Sequence, residues 1–128
     1  MLDGLETIRM ARAMTAHAAE RTKVIAGNVA NADTPGFRAR DLQPFSETYR
    51  RAAGDALRAT RAGHLDARGG AASVRIAEDQ GGRAPNGNSV SLEDEMVRTA
   101  EAKRQHDLSL AVYRSSLNML RSAIGRKG

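Results

Sequence analysis

Histidines and carboxylates are the side chains of this 128-residue chain that could support catalysis or bind a metal ion. The three histidines, His17, His64 and His106, are far apart along the chain and match no HExxH or comparable metal-binding spacing. A zinc site needs three or four converging ligands, so we expect the histidines to be surface or helix-packing residues. The sequence therefore predicts no metal ion and no other cofactor.

Cysteine nucleophiles and the common nucleophile and phosphate-binding motifs are also missing from the sequence. There is no cysteine, which excludes thiolate chemistry and disulfides, and there is no Walker A, GxGxxG or GxSxG motif. The acidic runs Glu78-Asp79 and Glu93-Asp94-Glu95 fall in a predicted loop and in a predicted first helical turn. Solvation and the helix dipole explain carboxylates at such places. We expect no enzymatic activity and no small-molecule substrate.

Hydrogen-bonding side chains are concentrated in residues 28–37, which read Asn-Val-Ala-Asn-Ala-Asp-Thr-Pro-Gly-Phe. Asn28 and Asn31 are three residues apart and therefore share one face of a helix. Each side-chain amide can both donate and accept hydrogen bonds to the backbone of a neighbouring segment. We therefore predict that the side-chain amides of this run hydrogen-bond to the backbone of a neighbouring segment.

The second half of the run predicts a sharp turn. Thr34 precedes a proline and is pushed out of the helical region, while Pro35 and Gly36 suit the central positions of a type II turn. Asp33 and Thr34 can hydrogen-bond locally. Phe37 is one of only two phenylalanines and is placed to anchor the segment that leaves the turn.

A long helix is predicted before this run. Residues 2 to about 30 contain no proline and are rich in good helix formers. A stripe with alternating spacings of three and four residues repeats every seven residues, as in a left-handed coiled coil. The stripe consists of Ile8, Ala11, Thr15, Ala18, Thr22, Ile25 and Val29. Because most of these side chains are small, the helix buries little apolar area alone and needs neighbours.

A second long helix is predicted from residue 91. Ser91 has the hydroxyl of an N-cap, and Asp94 supplies a carboxylate three residues later, a variant of the capping box. The helix carries a second stripe of the same spacing, and Gly125 and Gly128 end it. The apolar members of this stripe are Leu92, Met96, Leu110, Tyr113, Leu117, Leu120 and Ile124.

Further apolar side chains lie off the second stripe. Leu108, Val112, Met119 and Ala123 make the C-terminal half of this helix apolar on more than one side. A helix of this kind is expected to be buried on several sides, which one partner helix from the same chain cannot achieve. This favours assembly with other chains. The alternative is a helical hairpin whose extra apolar residues are simply exposed.

The intervening residues have a different composition. Glycine pairs and a Pro-Asn-Gly-Asn run interrupt a stretch dense in Ala and Arg, and only residues 72–76 alternate like a strand, with a partner expected near residues 57–65. We therefore expect three parts: residues 1–37, a central insert at 38–90, and residues 91–128. The first and last form one mainly α domain, an antiparallel coiled-coil-like bundle. The insert is loosely ordered, with room for one small β-hairpin.

The charge of the chain is basic but evenly distributed. The formal net charge is +5 and the isoelectric point is near 10.4, yet acidic and basic residues are intermixed in every segment. Nucleic-acid-binding proteins concentrate Lys and Arg on one surface. We therefore disfavour nucleic acid as a partner. A small basic helical nucleic-acid-binding protein and a helical-hairpin adaptor remain as alternatives from other functional classes.

Residues 28–37 closely resemble the signature of the flagellar rod and hook protein family. In that signature, an N-terminal helix ends in asparagines, small residues and Thr-Pro-Gly followed by an aromatic residue. The resemblance continues through residues 38–41, Arg-Ala-Arg-Asp, and resumes at residues 86–96, Asn-Gly-Asn-Ser-Val-Ser-Leu-Glu-Asp-Glu-Met. It covers about residues 1–41 and 86–124. His106, where an aromatic residue would be usual, and the Gly-rich insert depart from the pattern.

The resemblance implies a structural subunit of the proximal rod of the flagellar basal body, with another rod protein as the alternative. Its partners would be copies of itself, other rod proteins, the membrane-embedded flagellar base and the export apparatus. Family members pass unfolded through the flagellar type III export apparatus. We therefore expect a periplasmic rod protein that is exported without a cleavable signal peptide.

Overall fold

The computed structural model describes residues 2–58, 76–78, 82 and 84–125. Along the chain it contains α1 (Leu2–Ala30), β1 (Arg40–Leu42), α2 (Phe45–Arg58), β2 (Ile76–Glu78) and α3 (Leu92–Gly125). The two long helices, α1 and α3, pack against each other, which confirms the predicted mainly α fold. The 34 residues of α3 span about 50 Å at 1.5 Å per residue.

Contacts at the two ends of the long helices establish that α1 and α3 run antiparallel. Near the start of α1, a Cβ atom added to Gly4 would lie 3.2 Å from Cδ2 of Leu120, near the end of α3. Near the end of α1, Asn28 Nδ2 donates a hydrogen bond to Glu95 Oε1 at the start of α3, at 3.1 Å. The two helices are therefore in contact along nearly the whole length of α1.

The N-terminus of α3 has the expected cap. The backbone N–H of Asp94 donates to Ser91 Oγ at 3.4 Å, and the Ser91 hydroxyl donates to Glu93 Oε2 at 3.2 Å. Three acidic residues occupy the first turn and complement the helix dipole. The helix begins where the capping pattern predicts because the hydroxyl accepts from a backbone N–H that has no partner within the helix.

The seam between α1 and α3 repeats every seven residues and, apart from Ile25, is made of small or polar side chains. On α3 the buried residues are Glu95, Ala102, Ser109 and Ser116. On α1 the buried apolar residues are Ala11, Ala18 and Ile25. Midway along the seam, the hydroxyls of Thr15 and Ser109 are 2.7 Å apart and share a hydrogen bond. Small side chains let the helices approach closely, but they bury little apolar area.

The apolar stripe predicted for α3 lies beside this seam rather than in it. Its two ends are largely exposed: Leu92 (52%), Met96 (73%) and Ile124 (64%). Its middle part is half-buried: Leu110, Tyr113, Leu117 and Leu120. On α1, Ile25 is buried and Ile8 is half-buried, whereas Val29 is 47% exposed. The predicted stripe of α1 contains the buried seam residues Ala11, Ala18 and Ile25. The predicted stripe of α3 misses its seam residues, because these include buried serines and a buried glutamate, which are not apolar.

The central insert contains a helix that composition did not predict. α2 follows Pro44, whose carbonyl accepts hydrogen bonds from the backbone N–H groups of Glu47 and Thr48. Its Ala- and Arg-rich sequence favours a helix, but Gly54 within it suggested a break. Residues 45–58 are therefore helical, which corrects the expectation of a loosely ordered segment there.

The strand pairing also differs from the expected one. β1 and β2 form a two-stranded antiparallel sheet in which Arg40 pairs with Glu78 and Leu42 pairs with Ile76. The strand that begins at Ile76 thus pairs with residues just after the Thr-Pro-Gly turn, not with residues near 57–65. Residues 59–65 and 72–75 lie outside the described part of the chain. A short alternating run indicates a strand but carries no information about its partner.

Candidate functional site

The end of α1 is joined to two other segments through one buried asparagine. The side chain of Asn28 forms a reciprocal pair with the backbone of Arg40: Nδ2 donates to the carbonyl at 2.7 Å, and Oδ1 accepts from the N–H at 3.0 Å. The same Nδ2 reaches Glu95 on α3. Asn28 is only 1% exposed, so these bonds are shielded from water. It therefore fixes α1, β1 and α3 at a single point.

Asn31, the second asparagine of the run, bonds within its own segment. Its Nδ2 donates to the carbonyl of Gly27 at 2.8 Å, and its Oδ1 accepts from the Thr34 hydroxyl at 3.2 Å. Asn31 follows Ala30, the last residue of α1, and its side chain adds a second donor to the Gly27 carbonyl, which also accepts from the Asn31 backbone N–H at 3.2 Å. The side chain thus does not reach a neighbouring segment, unlike that of Asn28.

The Thr-Pro-Gly sequence forms the expected turn. The N–H of Phe37 donates to the Thr34 carbonyl at 3.2 Å, and Gly36 has a φ of 75°. Proline before a residue of positive φ is the arrangement of a type II turn. Asp33 and Pro35 are exposed, while Phe37 is half-buried where the chain leaves the turn. The turn reverses the chain so that residues 38–42 run back along α1.

A second segment, just before α3, fastens this turn. Asn88 is 3% exposed, and its Nδ2 lies within hydrogen-bonding distance of three carbonyl oxygens, those of Asn31 (2.9 Å), Ala32 (2.8 Å) and Thr34 (2.8 Å). Its Oδ1 accepts from the N–H of Val90 at 2.8 Å. One side chain thereby satisfies carbonyls at the end of α1 and positions the start of α3.

Backbone bonds and two facing glycines complete the joint. The N–H of Gly36 donates to the Asn86 carbonyl at 3.0 Å, and the N–H of Ser89 donates to the Phe37 carbonyl at 3.0 Å. Gly87 has a φ of 81°, and a Cβ atom there would lie 3.4 Å from Cα of Gly36. We call residues 28–40 together with residues 86–89 the clasp. It brings together the two sequence runs that are about fifty residues apart in the chain.

A charged network extends the clasp along the helices. Arg21 binds both oxygens of Asp41 at 3.0 Å and also Glu101 at 3.0 Å. Arg98 binds Glu95 at 2.7 Å and lies 3.7 Å from Asp41. Burial by itself would lower the pKa of Arg21, but the hydrogen bonds and charges of Asp41 and Glu101 outweigh it and raise that pKa. The network ties β1 to both long helices.

His17 is a packing residue at the same face of the bundle. Its Nδ1 lies 3.0 Å from Nε2 of Gln105, and its Nε2 lies 2.8 Å from the carbonyl oxygen of Gln43. An amide nitrogen can only donate, so Nδ1 accepts and Nε2–H donates to the carbonyl. The ring edge also packs on Phe45, with ring centroids 5.6 Å apart. This histidine joins α1 to α3 and to the start of α2.

The arrangement is suited to holding segments together. Among the described residues, no three His, Asp or Glu side chains are grouped so that they could hold a metal ion. No helix in the described ranges is long and apolar enough to cross a membrane. Sequence reasoning found Asn28 and the turn but missed Asn88, Glu95 and Asp41 as joint residues. The Asn-Gly-Asn run was the available signal, because Asn and Gly favour positive φ and side-chain bonds to backbone.

Comparisons with known proteins show the family to which the chain is related. A family model described as flagella basal body rod protein matches residues 10–38, which include most of α1 and the turn. The chain is 32% identical over 111 residues to the flagellar basal body rod protein FlgB of Agrobacterium fabrum, with 83% of each chain covered. The chain belongs to the FlgB family of flagellar basal body rod proteins.

Other members of the FlgB family match over most of the chain. FlgB of Salmonella typhimurium is 32% identical over 130 residues, covering 91% of this chain and 92% of its own. FlgB of Escherichia coli is 33% identical over 139 residues, covering 95% and 99%. The resemblance to rod and hook proteins is thereby confirmed. This member of the FlgB family is a structural subunit of the flagellar rod, and nucleic-acid binding and a free adaptor are not favoured.

Proposed function

We propose that this FlgB-family subunit builds the proximal rod, next to the membrane-embedded flagellar base, and transmits torque without catalysing a reaction. The observation that carries the proposal is the clasp. The two runs that resemble the rod family, residues 28–41 and 86–96, meet there and join the ends of both long helices. A subunit that transmits torque must resist sliding of one helix past the other, and the clasp opposes that motion.

The clasp restrains α1 and α3 more firmly than their seam does. The seam is made of small side chains and gains little free energy from apolar burial. In the clasp, Asn28 and Asn88 together bond to the carbonyls or N–H groups of β1, the turn and the start of α3. Sliding the helices by one residue would break these bonds at once, because each depends on the register of a particular backbone group.

The same features suit export in an unfolded state. α1 has a seam of alanines and threonines and would bury little apolar surface alone, so it is marginal as an isolated helix. The clasp closes only after residues 86–89 have emerged, and they follow the turn by about fifty residues. We propose that the chain crosses the flagellar export apparatus unfolded and folds in the periplasmic rod.

The proposed partners are copies of this chain, other rod proteins, the membrane-embedded base and the export apparatus. Exposed apolar residues on both long helices support assembly, because the single chain leaves them uncovered: Leu5, Val29, Leu92, Met96, Val97, Leu108, Met119 and Ile124. Soluble monomers seldom expose large contiguous apolar areas without a binding role.

The proposal is tested in a strain that lacks its own copy of the gene. Replacing Asn28 by alanine removes the side-chain partner of the Arg40 backbone groups and one of the two partners of the Glu95 carboxylate, which keeps Arg98. We expect the subunit to be exported while rods fail to assemble and cells do not swim. The matched control is Asn118→Ala, the same substitution at an exposed position of α3, which should restore motility. Normal rods with Asn28→Ala would contradict the proposed role of the clasp.

A further inference from the structure

The seven-residue repeat divides the bundle into two flanks. We count from the buried seam residues: Ala11, Ala18 and Ile25 on α1, and Glu95, Ala102, Ser109 and Ser116 on α3. Residues that come one position before or three positions after a seam residue lie on one flank of the bundle. The segment after the turn packs on this flank. There Arg21 binds Asp41, and His17 bonds to the carbonyl of Gln43. On α3, Arg98 and Glu101 occupy the equivalent positions of the repeat and belong to the same network. This clasped flank is therefore covered within the chain beside the clasp, whereas Leu108 and Met119 farther along it are exposed.

The opposite flank is not covered by any described element. It consists of the residues that come one or four positions after a seam residue. In an antiparallel pair of helices, such residues of one helix lie next to such residues of the other. The predicted apolar stripe of α3 occupies these positions throughout, and Leu5, Ile8 and Val29 occupy them on α1. The stripe thus marks this open flank rather than the seam.

Apolar residues gather at the two ends of the open flank. The junction patch, beside the clasp, consists of Val29, Leu92 and Met96, all exposed by about half or more. The far-end patch consists of Leu5, Ile8, Leu117, Leu120 and Ile124, of which Leu5 and Ile124 are exposed by 49% and 64%. Between the patches the flank is polar and exposed at Thr22, Thr99 and Lys103, and the half-buried Leu110 and Tyr113 follow before the far-end patch. One molecule therefore carries two separate apolar patches on one side.

The charges around the two patches have opposite sign. Glu93 and Asp33 are exposed beside the junction patch. The far-end patch is bordered by four exposed arginines: Arg9, Arg12, Arg114 and Arg121. Three nearby residues have the other sign, Asp3 and Glu6 at the far end and Lys23 near the junction, but Lys23 is paired with Glu20 at 3.2 Å. The borders of the two patches therefore attract each other, whereas two copies of the same patch would bring like charges together.

We propose that the junction patch of one molecule packs against the far-end patch of a second copy of this chain. This inference rests on the proposed function and names the surface through which copies meet. The contact is heterologous, because different patches meet, so each added copy presents a free patch to the next. Apolar burial holds the contact, and the acidic and arginine borders orient it.

Sedimentation velocity of the full chain over a range of concentrations tests the proposal. The wild-type chain should form species larger than dimers. Met96→Asp in the junction patch and Ile124→Asp in the far-end patch should each raise the apparent dissociation constant about tenfold or more. Both residues are mostly exposed, so the fold should survive, and circular dichroism verifies this. An equimolar mixture of the two variants should form heterodimers and stop, because one intact patch remains on each chain.

Two exposed apolar residues outside the open flank provide matched controls. Val97 is 59% exposed beside Met96, and Leu108 is 54% exposed on the clasped flank of α3. Val97→Asp and Leu108→Asp should associate like the wild type. The proposal would be overturned if the wild-type chain formed nothing larger than dimers, or if the control variants associated more weakly than the wild type. It would also be overturned if the mixture of Met96→Asp and Ile124→Asp chains stayed monomeric. A monomeric wild-type chain whose gene still restores motility would overturn it too, while leaving the proposed function intact.

Discussion

At the scale of single residues, the clasp depends on a few side chains that bond to backbone. Asn28 was identifiable from sequence because an amide at a helix end before Thr-Pro-Gly has few other uses. Asn88 was not identifiable, because its hydrogen bonds are made to three carbonyls that lie at a turn some fifty residues earlier in the chain. Local sequence reveals a residue's bonding capacity, whereas its partners depend on the fold.

Asn88→Ala should destabilise the purified chain. The substitution leaves three buried or half-buried carbonyls with fewer donors, a loss on the order of 1–3 kcal/mol in the free energy of unfolding. Thermal unfolding followed by circular dichroism should show a lower midpoint. Asp33→Ala, which changes an exposed side chain in the same joint, should leave the midpoint nearly unchanged.

Gly36 and Gly87 both have positive φ values, 75° and 81°. Alanine at either position should cost roughly 1–2 kcal/mol of stability, because L-residues disfavour this conformation. Gly54→Ala in α2 is the control, and it should raise the stability of the chain instead of lowering it. Nothing lies within 4 Å of a Cβ atom there, and Ala favours a helix over Gly by about 0.5–1 kcal/mol. Equal destabilisation at all three positions would contradict the assigned turn geometry.

At the scale of elements, the helix ends and the buried face of α1 were predictable, whereas the buried face of α3 was not. Ser91 and the acidic residues after it mark the start of α3 by local chemistry, and the Thr-Pro-Gly turn follows directly on the end of α1. The seam was misplaced because Ser109, Ser116 and Glu95 are buried without being apolar. α2 was missed because a glycine and a polar composition conceal an amphipathic helix within a long connection.

The seam requires small side chains where the helices touch. Ser109 is fully buried and shares a hydrogen bond with Thr15. Ser109→Leu should therefore force the helices apart, at a cost of about 1–3 kcal/mol from overpacking. Ser115→Leu makes the same chemical change at an exposed position of the same helix and should have little effect. Denaturant unfolding of the two variants measures the difference, and equal midpoints would contradict the seam.

At the scale of the whole molecule, the chain is a slender antiparallel pair of helices fastened at one end and apolar along one flank. Such a molecule gains most of its stability in an assembly, where neighbours cover the surfaces it exposes. Leu117 and Leu120 belong to the far-end patch and are half-buried within the single chain.

Replacing both Leu117 and Leu120 by aspartate should abolish rod assembly while sparing export. Each carboxylate would have to enter an apolar contact, at a cost of several kcal/mol unless it protonates or finds a partner. The expected phenotype is a secreted subunit, no completed rod and a non-motile cell. Arg104→Asp, an exposed position on the same helix, provides the comparison and should remain motile.

An electron cryo-microscopy map of isolated basal bodies tests the central claim most directly. The account predicts this subunit in the rod layer next to the membrane-embedded base. There α1 and α3 should be antiparallel, with the Asn28 side chain against the backbone of Arg40 and Asn88 against the carbonyls of the turn. A map in which the two helices are separated, or in which residues 86–89 lie away from the turn, would contradict it.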